Sequence, residues 1–522
     1  SGQALAFNAL ETIRRSEPGM PLRVLELVAR EKSCEHPDKA CHGESCPLAK
    51  GFYDRLPAAR SAAATAGTLT RDRLREIGLA HCVCPYYLGQ EMVRWSDVVV
   101  GDYNHYFDSS AVLHALTLAN AWRVGLLVDE AHNLIDRARV MYTADLDSTR
   151  LRQVRALAPA ALKRPLDRLH RAWNKVLKLS AAPYHALPEP PGAFAAALHA
   201  AATAIGEHLE EGSPSIDSEL QRFYFDALKV CRLLDSFGAH SVFDVSGSPD
   251  DAGARQARSI LCVRNVVPAP FLKARFTLAR STVLFSATLA PWHFYVDTLG
   301  MPADTAWLEV AAPFTAEQLT VRIVSDVSTR YRHRHRSLAP IARIIATQYH
   351  AAPGNYIAYF SSFNYLEQAM AEFSASHPEI TAWRQDRRMT DEERHRFLER
   401  FVADGSGVAF AVLGGVFAEG IDLPGTRLIG AFIATLGLPQ VNAVNEELRR
   451  RLDEAFGSGQ DYTYLYPGIR KVVQAAGRVI RTVDDTGTVH LIDDRFCRKE
   501  VLGLMPSWWK TEITKSARWA NS

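Results

Sequence analysis

The sequence predicts an α/β protein built on parallel sheets and divided into more than one folded unit. Three observations carry that reading. Short β-rich runs ("SDVVVGDY", "RVGLLVDE", "STVLFSAT", "GNYIAYFSS", "GVAFAVLGG", "GTVHLIDD") alternate with helical stretches. Each apolar run ends in a polar or glycine-rich cluster, and in open α/β sheets ligands gather at such strand ends. The length of 522 residues exceeds one ordinary domain, so two to four units are expected.

Composition bounds the class. With 47% hydrophobic and 23% charged residues the chain has a normal globular balance. Its net charge of +2 means that any nucleic-acid contact must come from local basic patches. The apolar stretch "LIGAFIATLGL" at 428–438 is too short for a membrane span and reads as a buried strand plus turn. The first residues, "SGQALAFNALETIRR", lack the basic-then-apolar order of a signal peptide. The expected compartment is therefore the cytoplasm, where disulfides are rare.

Taken in order, residues 1–30 read as an amphipathic helix followed by a second helix. Residues 31–100 are rich in cysteine and turn formers, with the helical pattern "TLTRDRLREIGLA" among them. The α/β rhythm follows and is interrupted at 140–255, an Ala-, Leu- and Arg-rich stretch of helical periodicity that reads as a helical insertion. A second α/β unit begins after "AAPF" at 311–314 and runs on to the last residue.

Four motifs carry chemistry. "GLLVDEAHNL" places Asp129 and Glu130 just past an apolar run. Two adjacent carboxylates there suit placement of Mg²⁺ by one and activation of a water by the other. An acidic start to the following helix is the plainer alternative. "KVVQAAGRVIRT" spaces Gln474, Arg478 and Arg481 so that one helix face would present an amide and two guanidiniums. Guanidiniums suit phosphate oxygens and developing charge, although a solvated basic face would share the pattern. "LGGVFAEGIDLPG" sets Glu419, Gly420 and Asp422 in a glycine-rich loop that lets backbone approach a ligand. "LFSATLAP" puts Ser286 and Thr288 after another strand, as coupling hydroxyls or as a helix cap.

Five of the eight cysteines fall in two short stretches, "CEHPDKACHGESC" at 34–46 and "HCVCPYY" at 81–87. A cytoplasmic setting disfavours disulfides and favours metal, and a four-thiolate set suits tetrahedral zinc or an iron–sulfur cluster. Cys231, Cys262 and Cys497 lie in apolar contexts and read as small core residues.

Together and in this order, DEAH at 129–132, SAT at 286–288, GID at 420–422 and QAAGRVIR at 474–481 resemble superfamily 2 helicases, and more narrowly the XPD/DinG family of iron–sulfur DNA helicases. The likeness covers essentially the whole chain, including "VVVGDYNHYF", "STRYRHR", "GNYIAYFSSFNYLE" and "GLPQVN". It implies two RecA-like motor domains with an iron–sulfur cluster domain and a helical Arch inserted in the first. The implied boundaries are 1–30, 96–139 and 256–312 for motor domain 1, 31–95 for the cluster domain, 140–255 for the Arch and 313–522 for motor domain 2.

The resemblance also implies a 5′–3′ DNA helicase that hydrolyses ATP with Mg²⁺ between its motor domains, acting as a monomer on single strands and duplex junctions. Asp129 would hold Mg²⁺ and Glu130 the attacking water; His132, Ser286 and Thr288 would couple hydrolysis to domain motion. Gln474 would face the γ-phosphate, Arg478 and Arg481 would be arginine fingers, and Gly420 and Asp422 would contact nucleotide. Cys34, Cys41, Cys46 and Cys84 would ligate a [4Fe–4S] cluster, with Cys82 spare. Contacts to DNA are expected from Tyr331, Arg332, Phe363 and Asn104, whereas Tyr359 and Phe360 read as core.

One part is missing. The phosphate-cradling P-loop, G-x-x-x-x-G-K-[ST], does not occur in these residues. The sequence thus reads as starting beyond the family's P-loop, and the 522 residues alone are expected to turn over ATP poorly. A single-strand-binding module without turnover is the alternative.

Overall fold

A computed structural model describes residues 2–519, apart from positions 18, 21, 40, 180–181, 211–217, 248–257 and 419–420. The chain divides into two compact units, residues 1–289 with 295–303, and residues 290–294 with 304–522.

The first unit opens with the helix Gly2–Ser16, as expected, but the second predicted helix is a strand, β1 (Val24–Leu27). Its Val24, Leu25 and Leu27 are all buried, so the pattern is that of a covered central strand. It pairs in parallel with β2 (Thr68–Leu69) and β3 (Val98–Gly101). The helices Phe52–Thr65, Arg71–Ala80 and Pro85–Met92 share a core with it through Ala59, Ala63, Leu74, Ile77 and Leu88. Thr70 caps the middle helix by accepting from the Arg73 N–H.

β4 (Gly125–Val128) and β9 (Ser281–Leu284) form a separate parallel pair, in register from Gly125 with Ser281 to Val128 with Leu284. This ribbon is thinly covered: Leu127 is 78% exposed and Val283 51%.

The stretch 140–255, expected to be helical, contains long helices (Ala160–Leu177, Gly192–Glu210, Ser218–Asp235) but also strands. β5 (Ala144–Asp147), β6 (Tyr184–Leu187), β7 (Ser241–Gly247) and β8 (Ser259–Asn265) make an antiparallel sheet in the order β5-β8-β7-β6. That sheet reaches Asn265, past the predicted boundary. Its longer strands are rich in β-branched residues, as in "SVFDVSG", which is buried over its first five residues, and Trp173 of the helix Ala160–Leu177 donates its indole N–H to Ser259 Oγ at 3.0 Å.

The second unit is a seven-stranded parallel sheet. Its strands are β10 (Leu319–Val324), β11 (Asn355–Phe360), β12 (Ala382–Arg384), β13 (Gly407–Val412), β14 (Gly430–Ala434), β15 (Gly487–Ile492) and β16 (Thr511–Thr514). Their order is β12-β13-β11-β14-β15-β10-β16. β11 is buried along its whole length, as parallel strands covered on both faces must be. Ile357 and Tyr359 enter one core, while Tyr356, Ala358 and Phe360 enter the other. Tyr359 and Phe360 are thus core residues, as the sequence suggested. Helices Arg334–Ala351 and Phe363–Ser376 cover the second face, and Tyr466–Ala476 covers the first.

Candidate functional site

In the first unit, the DEAH segment leaves the carboxyl end of β4. Glu130 takes a left-handed backbone conformation (φ 48°), which a non-glycine residue adopts only where its surroundings enforce it. Here the Glu130 N–H donates to Asp129 Oδ1 at 2.8 Å, and the Tyr103 hydroxyl donates to the carbonyls of Asp129 and, at 2.8 Å, of Glu130. Burial, then the Glu130 and Asp129 charges, push the Tyr103 phenol well above its ordinary range, so it remains a donor. The Ala131 N–H donates to the Phe285 carbonyl at 3.1 Å and fastens the segment to the end of β9.

The SAT segment closes a triangle with this turn. His132, 1% exposed, sets its Nδ1 2.6 Å from Ser286 Oγ and 3.2 Å from Glu130 Oε2. Ser286 Oγ donates to Glu130 Oε2 at 3.3 Å and accepts the Thr288 N–H at 3.2 Å. Ser286 therefore joins the carboxylate site directly. Thr288 joins it only through its backbone; its hydroxyl is buried without a hydrogen-bond partner among the described residues.

In the second unit, the expected single helix face does not form. The helix ends at Ala476, with Gly477 as its cap, so Gln474 lies on the helix while Arg478 and Arg481 lie on the turns beyond it. Glycine at the end of a periodic run was the signal for this break. Both arginines instead engage the glycine-rich loop. Arg478 donates to the carbonyls of Ile421 at 3.0 Å and Ala418 at 3.4 Å, and Arg481 Nε donates to Asp422 Oδ1 at 2.8 Å. Glu419 and Gly420 lie outside the described residues.

Asp485, which the sequence reading missed, organises this loop. It accepts from the backbone of Arg481 at 2.7 Å, Thr482 at 2.8 Å and Gly425 at 3.2 Å. "DDTG" before β15 was a turn signal, but nothing in it foretold the link to Gly425. Tyr103 was likewise missed, although it sits beside Asn104 in the quoted "GDYNHYF".

All eight cysteines are free thiols. Cys34 caps the short helix Arg30–Ser33 and Cys84 starts the helix Pro85–Met92. Burial, then the charges of Cys34 and Cys46, raise the Cys84 thiol, so these three sulfurs are electrostatic neighbours. Cys41 acts with Cys84 on the Tyr86 and Tyr87 phenols. Cys82 is exposed in a left-handed turn (φ 53°) and takes no part in these interactions. Cys41 is exposed and Cys34, Cys46 and Cys84 are half-buried, and among the described residues the cysteines do not gather into a clear metal site.

Of the residues expected to meet DNA, Tyr331 and Phe363 each lie beside an arginine. Tyr331 is 83% exposed, with the Arg334 guanidinium 5.4 Å from its ring centroid. Arg387 lies 5.5 Å from the Phe363 ring centroid. Arg332 follows Tyr331 in a short 3₁₀ turn; Asn104, on the first unit, is exposed at the start of the short helix Asn104–Phe107 after β3. No described helix is long and apolar enough to cross a membrane.

Residues 22–151 match the DEAD_2 family and residues 345–512 match the Helicase C-terminal domain family. ATP-dependent DNA helicase chl-1 of Caenorhabditis elegans is 27% identical over 46% of this chain and 31% of its own length. The Regulator of telomere elongation helicase 1 homolog of Anopheles gambiae is 21% identical over 95% of this chain and 60% of its own. The chain thus spans less than two thirds of these relatives. Among solved structures, "XPD_Helicase" covers 95% of this chain, with 87% of its own covered, at TM-score 0.57 and 17% identity. "Structure of S. tokodaii Xpd4" covers 98%, with 99% of its own covered, at TM-score 0.53 and 14% identity. The fold is accordingly that of the XPD structures, with two RecA-like domains. Matched motor-family segments in both units and carboxylates poised at a strand end lead to one conclusion: the chain belongs to the XPD/DinG-like family of superfamily 2 helicases.

Proposed function

We propose that this chain is the motor of an ATP-dependent DNA helicase that moves 5′ to 3′ on single-stranded DNA and opens duplexes. The observation that carries the reading is the Glu130–His132–Ser286 triangle, in which the DEAH carboxylate and the SAT hydroxyl share a buried imidazole. In this proposal Asp129 positions Mg²⁺ and Glu130 orients the water that attacks the γ-phosphate. His132 relays the state of Glu130 to Ser286, so a change at the nucleotide is felt at the end of β9. Gln474 faces the γ-phosphate, Thr288 shares in the coupling, and Asp422 serves the nucleotide with Gly420. Arg478 and Arg481 stabilise transition-state charge, a role worth about 10³–10⁵ in rate. Arg481 must first exchange its Asp422 partner for phosphate oxygens.

Cys34, Cys41, Cys46 and Cys84 would hold a [4Fe–4S] cluster, which supplies a rigid cross-link between the 34–46 loop and the helix at Pro85. Tyr331, Arg332, Phe363 and Asn104 would contact the strand by stacking and charge. The second reading is a single-strand-binding module without turnover.

ATP hydrolysis by the natural gene product, with and without single-stranded DNA, separates the two. The helicase reading expects DNA-stimulated turnover that falls by about 10²-fold or more in Glu130→Gln while DNA binding persists. DNA binding without turnover replaces it with the module.

A further inference from the structure

The second unit carries a cluster that motor chemistry does not use. His350 lies in the last turn of the helix Arg334–Ala351, His377 caps the C-terminus of Phe363–Ser376, and Glu379 precedes β12. The first of these helices leads into β11 and the second leaves its carboxyl end. Both therefore finish at the amino ends of the strands, on the edge opposite the glycine-rich loop and the arginines.

His350 Nε2, His377 Nδ1 and a Glu379 carboxylate oxygen all lie within 4.8 Å of one another. Glu379 Oε1 is 3.4 Å from His350 Nε2 and 3.6 Å from His377 Nδ1. Both distances are long for N–H···O bonds, which centre on about 2.9–3.0 Å. They match the edges of a coordination tetrahedron, since an ion bound at about 2.0–2.1 Å holds neighbouring donors about 3.4 Å apart. Two helix C-termini also meet here, and their negative dipole ends favour a cation.

We propose that His350, His377 and Glu379 bind one divalent transition-metal ion of the zinc class. Two imidazole nitrogens and one carboxylate oxygen suit zinc, cobalt or nickel better than magnesium or calcium. The ion clips both helix ends to the loop entering β12 and keeps a position open for water.

Cobalt(II) titration of the untagged full chain tests the site, with zinc as competitor. In the difference between wild type and the His350→Ala/His377→Ala double variant, in which any thiolate-bound metal cancels, one equivalent with weak visible bands and no sulfur-to-metal absorption is expected, displaced by zinc. Affinity should fall at least tenfold in His350→Ala, His377→Ala and Glu379→Gln, since loss of even an outer-shell partner costs about 10–100-fold. His350 and Glu379 are exposed and His377 is half-buried, and circular dichroism checks that each variant folds. Where one does not, zinc-edge anomalous density in wild-type crystals decides: a peak among the three side chains supports the site and none overturns it. Unchanged cobalt binding in the His350→Ala/His377→Ala double variant, or none at about 1 mM, also overturns it.

Discussion

Arg481 and Asp422 form an ion pair at 2.8 Å that ties the turn after the Tyr466–Ala476 helix to the glycine-rich loop. Their side chains are 34% and 71% exposed, so solvent screens the pair. Asp422→Ala should shift stability by less than about 1 kcal/mol. Chemical denaturation should therefore barely move, whereas nucleotide turnover by the natural gene product should change clearly. A large stability loss with normal turnover would make the pair structural.

His132 and Ser286 should behave as one unit. His132→Ala leaves Ser286 Oγ without its shortest partner and should cost about 1–3 kcal/mol. In a double-mutant cycle with Ser286→Ala, urea unfolding should give a coupling of about 0.5–3 kcal/mol, as for directly bonded neighbours. Additive losses would mean that the 2.6 Å contact carries no energy of its own.

Asp493 is a fully buried carboxylate in the second unit. Burial opposes its ionisation, but Arg495 and Thr329 outweigh burial and hold the carboxyl below its ordinary range. Arg495 Nε donates to it at 2.7 Å and the Thr329 N–H at 3.0 Å. Because the folded pKa lies below the unfolded value of about 3.9, this stabilisation is complete above about pH 5 and fades as pH falls through the lower, folded value. Asp493→Asn should cost about 3–5 kcal/mol near neutral pH by stranding Arg495. Its stability should also decline less between pH 5 and pH 3 than that of wild type, measured by thermal unfolding at each pH.

The cysteines are separable by metal content. Iron and acid-labile sulfide should be lost in Cys34→Ser and Cys84→Ser and retained in Cys82→Ser. Zinc in place of iron, or iron retained in Cys84→Ser, would reject the proposed ligand set.

What the sequence revealed was chiefly local. The strand-end positions of Asp129, Glu130 and Ser286 followed from apolar runs that stop at polar clusters, and the structure places them so. Three readings went astray where one period was taken for another or a terminator was passed over. "RVLELV" was read as helix, although buried Val24, Leu25 and Leu27 make a central strand. "SVFDVSG" fell within the expected helical insertion and its partner "SILCVRN" within motor domain 1, although β-branched runs bounded by Gly and Ser announce strands and the two pair in one sheet. Gly477 marked the end of the helix that was drawn on through Arg481. Contacts distant in sequence, such as Asp485 with Gly425 or Tyr103 with Glu130, leave no periodic trace and needed coordinates.

The β4–β9 ribbon has a dynamic consequence. An isolated strand pair is marginal in water, whereas the arginine turns rest beside seven paired strands. The carboxylates thus follow a strand with one hydrogen-bonded neighbour among the described residues. Amide hydrogen exchange should find Leu126–Val128 and Thr282–Leu284 opening by local fluctuations, while Tyr356–Tyr359 exchanges only on global unfolding. If this ribbon melts and reforms within the folded protein, its order is itself a variable that a bound nucleotide can set.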